Sequence, residues 1–159
     1  KLEKVYDQIC QIGAPEPAIV HLDLKTLDEA TSEQLKETIQ DNYGKLDVLL
    51  HNAAMLGTRV PLENYDSREW TSVMQTNVTS VFVLTKALLP LLKKSVDGRL
   101  IFTNSSVGKT PRAYWGAYSV SKFASIVSEI SHVSINNYVC IPIIHGIIET
   151  VNQSLNCCT

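Results

Sequence analysis

Apolar residues recur along this chain in two rhythms, a three-to-four-residue helical spacing and short continuous runs, and the two alternate. Leu2, Val5, Tyr6 and Ile9 fall at i, i+3, i+4 and i+7 and predict the end of a helix from Lys1 to Ile12, stopped by Gly13 and Pro15. The run AIVHLDL, residues 18–24, is short and β-branched and lies between Pro17 and a charged stretch beginning at Lys25. It predicts a strand buried in a parallel sheet, with Asp23 at its C-terminal end. Leu27 to Tyr43 carries Leu35 and Ile39 on one face and ends at Gly44, as a helix with a left-handed cap would. DVLLHNAA predicts a second strand. Asp66 then stands as an N-cap three residues before Glu69, opening a long helix through Val73, Asn77, Val81, Leu84, Leu88 and Leu92 that Gly98 closes. RLIFTN is a third strand, residues 108–116 with Pro111 are loop, and AYSVSKFASIVSEI is a further helix.

Strands that alternate with helices of this length imply an α/β fold, built from right-handed βαβ units around a parallel sheet. Chemistry in such sheets collects beyond the carboxyl ends of the strands, which directs attention to Asp23, to the His51-Asn52-Ala53-Ala54 turn and to Ser105-Ser106.

Length and charge narrow the possibilities. With 159 residues, 45% of them hydrophobic, the chain supports one globular core. Its 14 basic residues against 16 acidic ones give no electrostatic reason to expect a nucleic acid or an anionic membrane as partner. The C-terminal run VCIPIIHGIIETV is broken by Pro142, His145, Gly146 and Glu149 and is too short to span about 30 Å of hydrocarbon as a helix, so no membrane partner is expected. The opening residues KLEKVYDQIC have no signal-peptide pattern, and the chain reads as cytoplasmic, with reduced thiols at Cys10, Cys140, Cys157 and Cys158. A zinc site from Cys140, His145 and the Cys157-Cys158 pair is disfavoured, because adjacent cysteines serve tetrahedral ligation poorly. No metal is expected.

The sharpest constellation is Tyr118-Ser119-Val120-Ser121-Lys122. Residues at i and i+4 share a helix face, and an ammonium beside a phenol favours the phenolate, which a tyrosine with a reference pKa near ~10 needs in order to trade protons near neutrality. Thirteen residues earlier stands Ser105, at the end of a strand, and before it come Asn52-Ala53-Ala54 and the helix segment MQTNV with Asn77. In this order and spacing the four elements resemble the short-chain dehydrogenase/reductase family. The wording LDVLLHNAAMLG, NVTSVFVLTKALLPLL and SSVGKTPRAYWGAYSVSKFA is similar to its bacterial YciK-type branch.

The resemblance implies NAD or NADP as cofactor and a small carbonyl or alcohol as substrate. It implies that Tyr118 exchanges a proton with the substrate oxygen, that Ser105 hydrogen-bonds that oxygen, that Lys122 lowers the tyrosine pKa and contacts the nicotinamide ribose, and that Asn77 helps hold a proton relay through water. Asn52, Ala53 and Ala54, with Asp23 and Leu24 at the adenine, would line the cofactor. The resemblance covers residues 1 to about 125, the central part of such a domain, and leaves 126–159 as a divergent segment. Departures accompany it: His51 replaces the usual Asn and Ala54 the usual Gly, and no glycine-rich pyrophosphate turn is present. The expected architecture is therefore a partial Rossmann-like, doubly wound parallel sheet with flanking helices, lacking the first strands, which the family's strand order places between AIVHLDL and DVLLHNAA. The activity implied is hydride transfer by a Ser-Tyr-Lys mechanism, impaired in this chain. The alternative is an inactive fragment that only pairs with an intact relative. The family's dimers would use the helices Asp66 to Ser95 and Ala117 to Ile130.

Overall fold

The computed structural model describes residues 2–132, 139–144 and 147–148. Helix α1 spans Leu2–Gln11 and α2 spans Glu29–Tyr43; the latter begins where Asp28 Oδ1 accepts from the Thr31 amide at 2.8 Å and ends at Gly44 with φ 72°. Strand β1 is Val48–His51. Helix α3, Ser67–Met74, is capped by Asp66, whose Oδ1 accepts from the Arg68 amide at 2.6 Å. It continues through a π turn at Gln75–Thr79 into α4, Ser80–Leu92. Strand β2, Arg99–Asn104, is followed by α5, Gly116–His132, then β3, Val139–Ile144, and a short β4, Ile147–Ile148.

The sheet order is β1-β2-β3-β4, with the first three strands parallel and β4 antiparallel. Register pairs Leu49 with Leu100 and His51 with Phe102, so the carboxyl ends of β1 and β2 finish side by side. The buried leucines of α4, Leu84, Leu88 and Leu91, meet Leu27, just before the Asp28 cap of α2, and the half-buried Leu46 and Leu49 at β1. Leu92 joins Leu100 and Phe102 below β2. This apolar layer holds the strand ends in place under the site.

Two elements depart from the sequence-based expectation. Residues 18–24 do not form a strand: Ile19 and Val20 are exposed, and only Leu22 and Leu24 pack on the leucine core. A strand is stable only where its amides and carbonyls find a ladder partner, and none of the described strands lies beside this segment. The same gap leaves β1 at the sheet edge with Val48 47% and Leu50 51% exposed, where a strand inside a parallel sheet would bury both faces. A groove of about 600 Å³, lined by Val20, Leu35, Ile39 and Leu46 among others, occupies that flank. The second departure is β3, a parallel strand in a stretch to which helical periodicity assigned nothing.

Candidate active site

Ser105 leaves β2 in extended conformation (φ −146°, ψ 148°) and hands the chain to a 3-10 turn at Ser106–Gly108. That turn lies directly on α5. A Cβ on Gly108 would stand 2.9 Å from the Lys122 carbonyl carbon and 3.0 Å from its oxygen, both backbone atoms that cannot swing aside. The close approach aligns the helix with the strand end and brings Tyr118 against Ser105, to which it hydrogen-bonds. Gly108→Ala is therefore expected to separate the two, lowering both thermal stability and any turnover; an unchanged melting curve with unchanged turnover would contradict this packing argument.

Lys122 is 5% exposed, its Nζ donating to the Thr103 carbonyl at 2.7 Å and lying 5.6 Å from the Tyr118 ring centroid. Burial pushes the Tyr118 phenol above its ordinary value of 10, and the Ser105 hydrogen bond works against that rise without overcoming it. The net shift of the phenol is upward in this structure. The ammonium sits over the ring face and donates to a main-chain carbonyl, while the hydroxyl loses hydration. A phenol whose folded pKa exceeds its unfolded value contributes stability that is complete below pH ~10 and is lost as pH rises through the folded pKa. The absorbance difference at 295 nm between the wild type and Tyr118→Phe should accordingly titrate above pH 10. Titration below 10 would reverse the assignment.

Asn77 lies in the π turn and is 3% exposed. Its Oδ1 accepts from the Met55 amide at 2.7 Å, and its Nδ2 donates to the Met55 carbonyl at 2.8 Å and to Ser121 Oγ at 2.9 Å. Both N–H groups are spent on protein partners. The side chain clamps the loop after β1 to the π turn and to α5. Ser121, fully buried, passes the link on by donating to the Tyr118 carbonyl at 2.8 Å.

Asn52, Ala53 and Ala54 are exposed beyond β1. Asn52 Oδ1 accepts from Thr103 Oγ1 at 2.8 Å. Thr103 thereby joins the Asn52 turn to Lys122, using its hydroxyl for one and its carbonyl for the other. His51 anchors the turn from below: Thr85 Oγ1 spends its only proton on the Val81 carbonyl at 2.7 Å, so His51 Nε2 carries the proton in their 2.8 Å contact. Its ring stacks on Phe102.

Asp23 and Leu24 do not join this cluster. Asp23 Oδ1 accepts from the Lys25 amide at 3.0 Å and its carbonyl from Thr26, closing its own turn, while Leu24 packs on the leucine core. Thr103, Ser121 and Gly108 escaped sequence reasoning, since hydroxyls and a glycine near strand and helix ends carry no periodic signal. Among the described residues no group of three or more His, Cys, Asp or Glu is placed to hold a metal, and no helix is long and apolar enough to cross a membrane. The side chains of Cys140, His145, Cys157 and Cys158 lie outside the described residues.

A strand-end serine meets a Tyr-x-x-x-Lys helix on a parallel sheet in an α/β fold, and the short chain dehydrogenase family profile matches residues 1–133. The chain belongs to the short-chain dehydrogenase family. It is 46% identical over 125 residues to the oxidoreductase YciK of Escherichia coli, covering 79% of this chain and 50% of that protein. A short chain dehydrogenase from Pseudomonas syringae superposes with a TM-score of 0.85 at 40% identity, over 92% of this chain and 62% of the other. One from Shigella flexneri, solved in complex with NADP, does so at 0.83 and 40% identity, over 87% of this chain and 60% of the other. The chain therefore spans about half the length of the curated relative and under two thirds of the solved ones.

Proposed function

We propose that this chain carries the reacting half of an NAD(P)-dependent carbonyl/alcohol oxidoreductase. The observation that carries the reading is the Ser105–Tyr118 hydrogen bond beside the buried Lys122 ammonium, at the carboxyl ends of β1 and β2. The exposed Asn52-Ala53-Ala54 turn and Lys122 fit the nicotinamide ribose half of a dinucleotide; the sequence has no glycine-rich turn for its pyrophosphate. NADP bound to the Shigella flexneri relative supports the cofactor class. Bound here, the reduced nicotinamide would supply a hydride to the carbonyl carbon. Tyr118 then gives its phenolic proton to the carbonyl oxygen, so ketone, hydride and proton become alcohol. Ser105 donates a hydrogen bond to the same oxygen, and Lys122 stabilises the tyrosinate left behind. The phenol, raised by burial above a value already well over neutrality, is protonated at neutral pH, and the resting site is poised for reduction. Asn77 and Thr103 hold the loop, helix and strand in register.

Titrating the purified chain with NADH and with NADPH by fluorescence, with Tyr118→Phe and Lys122→Ala beside it, tests this reading. Saturable binding weakened by Lys122→Ala is expected; a folded, soluble chain that binds neither would refute it and leave the inactive pairing fragment. For that second reading the outward side chains Phe82 on α4 and Phe123 on α5, 52% and 61% exposed, are the favouring observation. Both helices belong to the surface through which we propose that the intact parent pairs. Phe123→Lys should shift any dimer to monomer in sedimentation while leaving the helical signal intact.

A further inference from the structure

Trp115 closes the loop before α5 and is fixed there, its amide donating to the Arg112 carbonyl at 3.3 Å and its carbonyl accepting from the Ser119 amide at 2.8 Å. Its half-buried indole lies 6.0 Å, centroid to centroid, from the Tyr118 ring. On the indole rests the guanidinium of Arg59, 5.3 Å from the ring centroid, brought by the loop after β1. Arg59 is exposed and forms no ion pair within 4 Å among the described residues. The chain as a whole is slightly acidic, yet residues 52–61 and 105–117, within the loops framing the site, contain Arg59, Lys109 and Arg112 and no Asp or Glu; Glu63 and Asp66 lie farther along the first loop, and Glu69 is occupied by Thr58 Oγ1 at 3.0 Å. A planar cation stacked on an aromatic ring keeps its edge donors available for a carboxylate or phosphate. This cation stands one indole away from the proposed proton donor.

Resting on the oxidoreductase reading above, we propose that Trp115 and Arg59 form a substrate subsite for an anionic group, and that the substrate is a carbonyl compound bearing a carboxylate or phosphate remote from its reacting carbon. The indole supplies the apolar wall for the connecting carbons, and the guanidinium holds the far end. Such a clamp fixes the carbonyl against Tyr118 by its tail, which a neutral ketone of the same length cannot use.

The test compares levulinate with 2-pentanone, two methyl ketones that differ in a carboxylate, in a Trp70→Phe background so that Trp115 is the only indole of the two in the chain. Indole fluorescence is titrated with and without NADPH, and NADPH binding is measured separately. Levulinate should bind about tenfold more tightly than 2-pentanone, Arg59→Ala should bring the ratio to about one, and Arg59→Lys should keep part of it, with NADPH affinity unchanged in both. Equal binding of the two ketones, or a preference that survives Arg59→Ala, overturns the subsite. Weaker NADPH binding in Arg59→Ala also overturns it, assigning the guanidinium to the cofactor's phosphates. If the chain binds no NADPH but still prefers levulinate through Arg59, the subsite stands and the oxidoreductase reading falls.

Discussion

Tyr118→Phe is expected to lower carbonyl reduction by about 10²–10⁴-fold while leaving cofactor affinity within about twofold, because the ring and its packing on Trp115 survive and only the transferable proton is lost. Lys122→Ala should be comparably damaging for another reason. It removes the cation over the ring and leaves the Thr103 carbonyl without that 2.7 Å donor. Lys122→Ala should therefore lower stability as well as turnover, whereas Tyr118→Phe should be nearly neutral at pH 7 and less sensitive than the wild type above pH 10, where the wild-type phenol ionises at a cost to the fold. Stopped-flow reduction rates with urea melts at both pH values separate these effects. Turnover in Tyr118→Phe equal to wild type would remove the proton-donor role outright.

The parts of this site that lie on periodic elements were legible in the sequence. Ser105 ends an apolar run, Tyr118 and Lys122 share a helix face, and Asp66 and Gly44 are capping residues at the positions where the structure caps helices. Legibility failed where a residue's state depends on a neighbour. AIVHLDL has the composition of a strand but no ladder to join, so Ile19 and Val20 face solvent. Asn77 falls on the helix stripe with Val73 and Val81, but that spacing does not state that Met55 and Ser121 consume its amide. The Tyr118 pKa depends on burial and on where the Lys122 ammonium points, neither of which a four-residue spacing states. Strand β3 carried no clear signal in the sequence, because Pro142 interrupts its apolar run and a proline argues against a ladder-forming strand.

Leu91→Ala is expected to cost about 2–5 kcal/mol and to leave most of the chain unfolded in mild denaturant. The side chain is wholly buried among Leu27, Leu84 and Leu88, and its carbonyl accepts from the Leu46 amide at 3.1 Å, so the cavity opens where α4 carries the approach to β1. A typical domain has only about 5–15 kcal/mol in reserve, and this sheet spends none of β1's outer edge on pairing among the described strands. Leu50→Lys probes the same strand from its open side. With 51% of Leu50 already in water, little packing is lost, and a charge on a bare edge opposes strand addition by a second molecule. Urea midpoints should fall sharply for Leu91→Ala and hardly move for Leu50→Lys, while light scattering at high protein concentration should drop for Leu50→Lys. A large stability loss in Leu50→Lys would mean that this face is covered in solution.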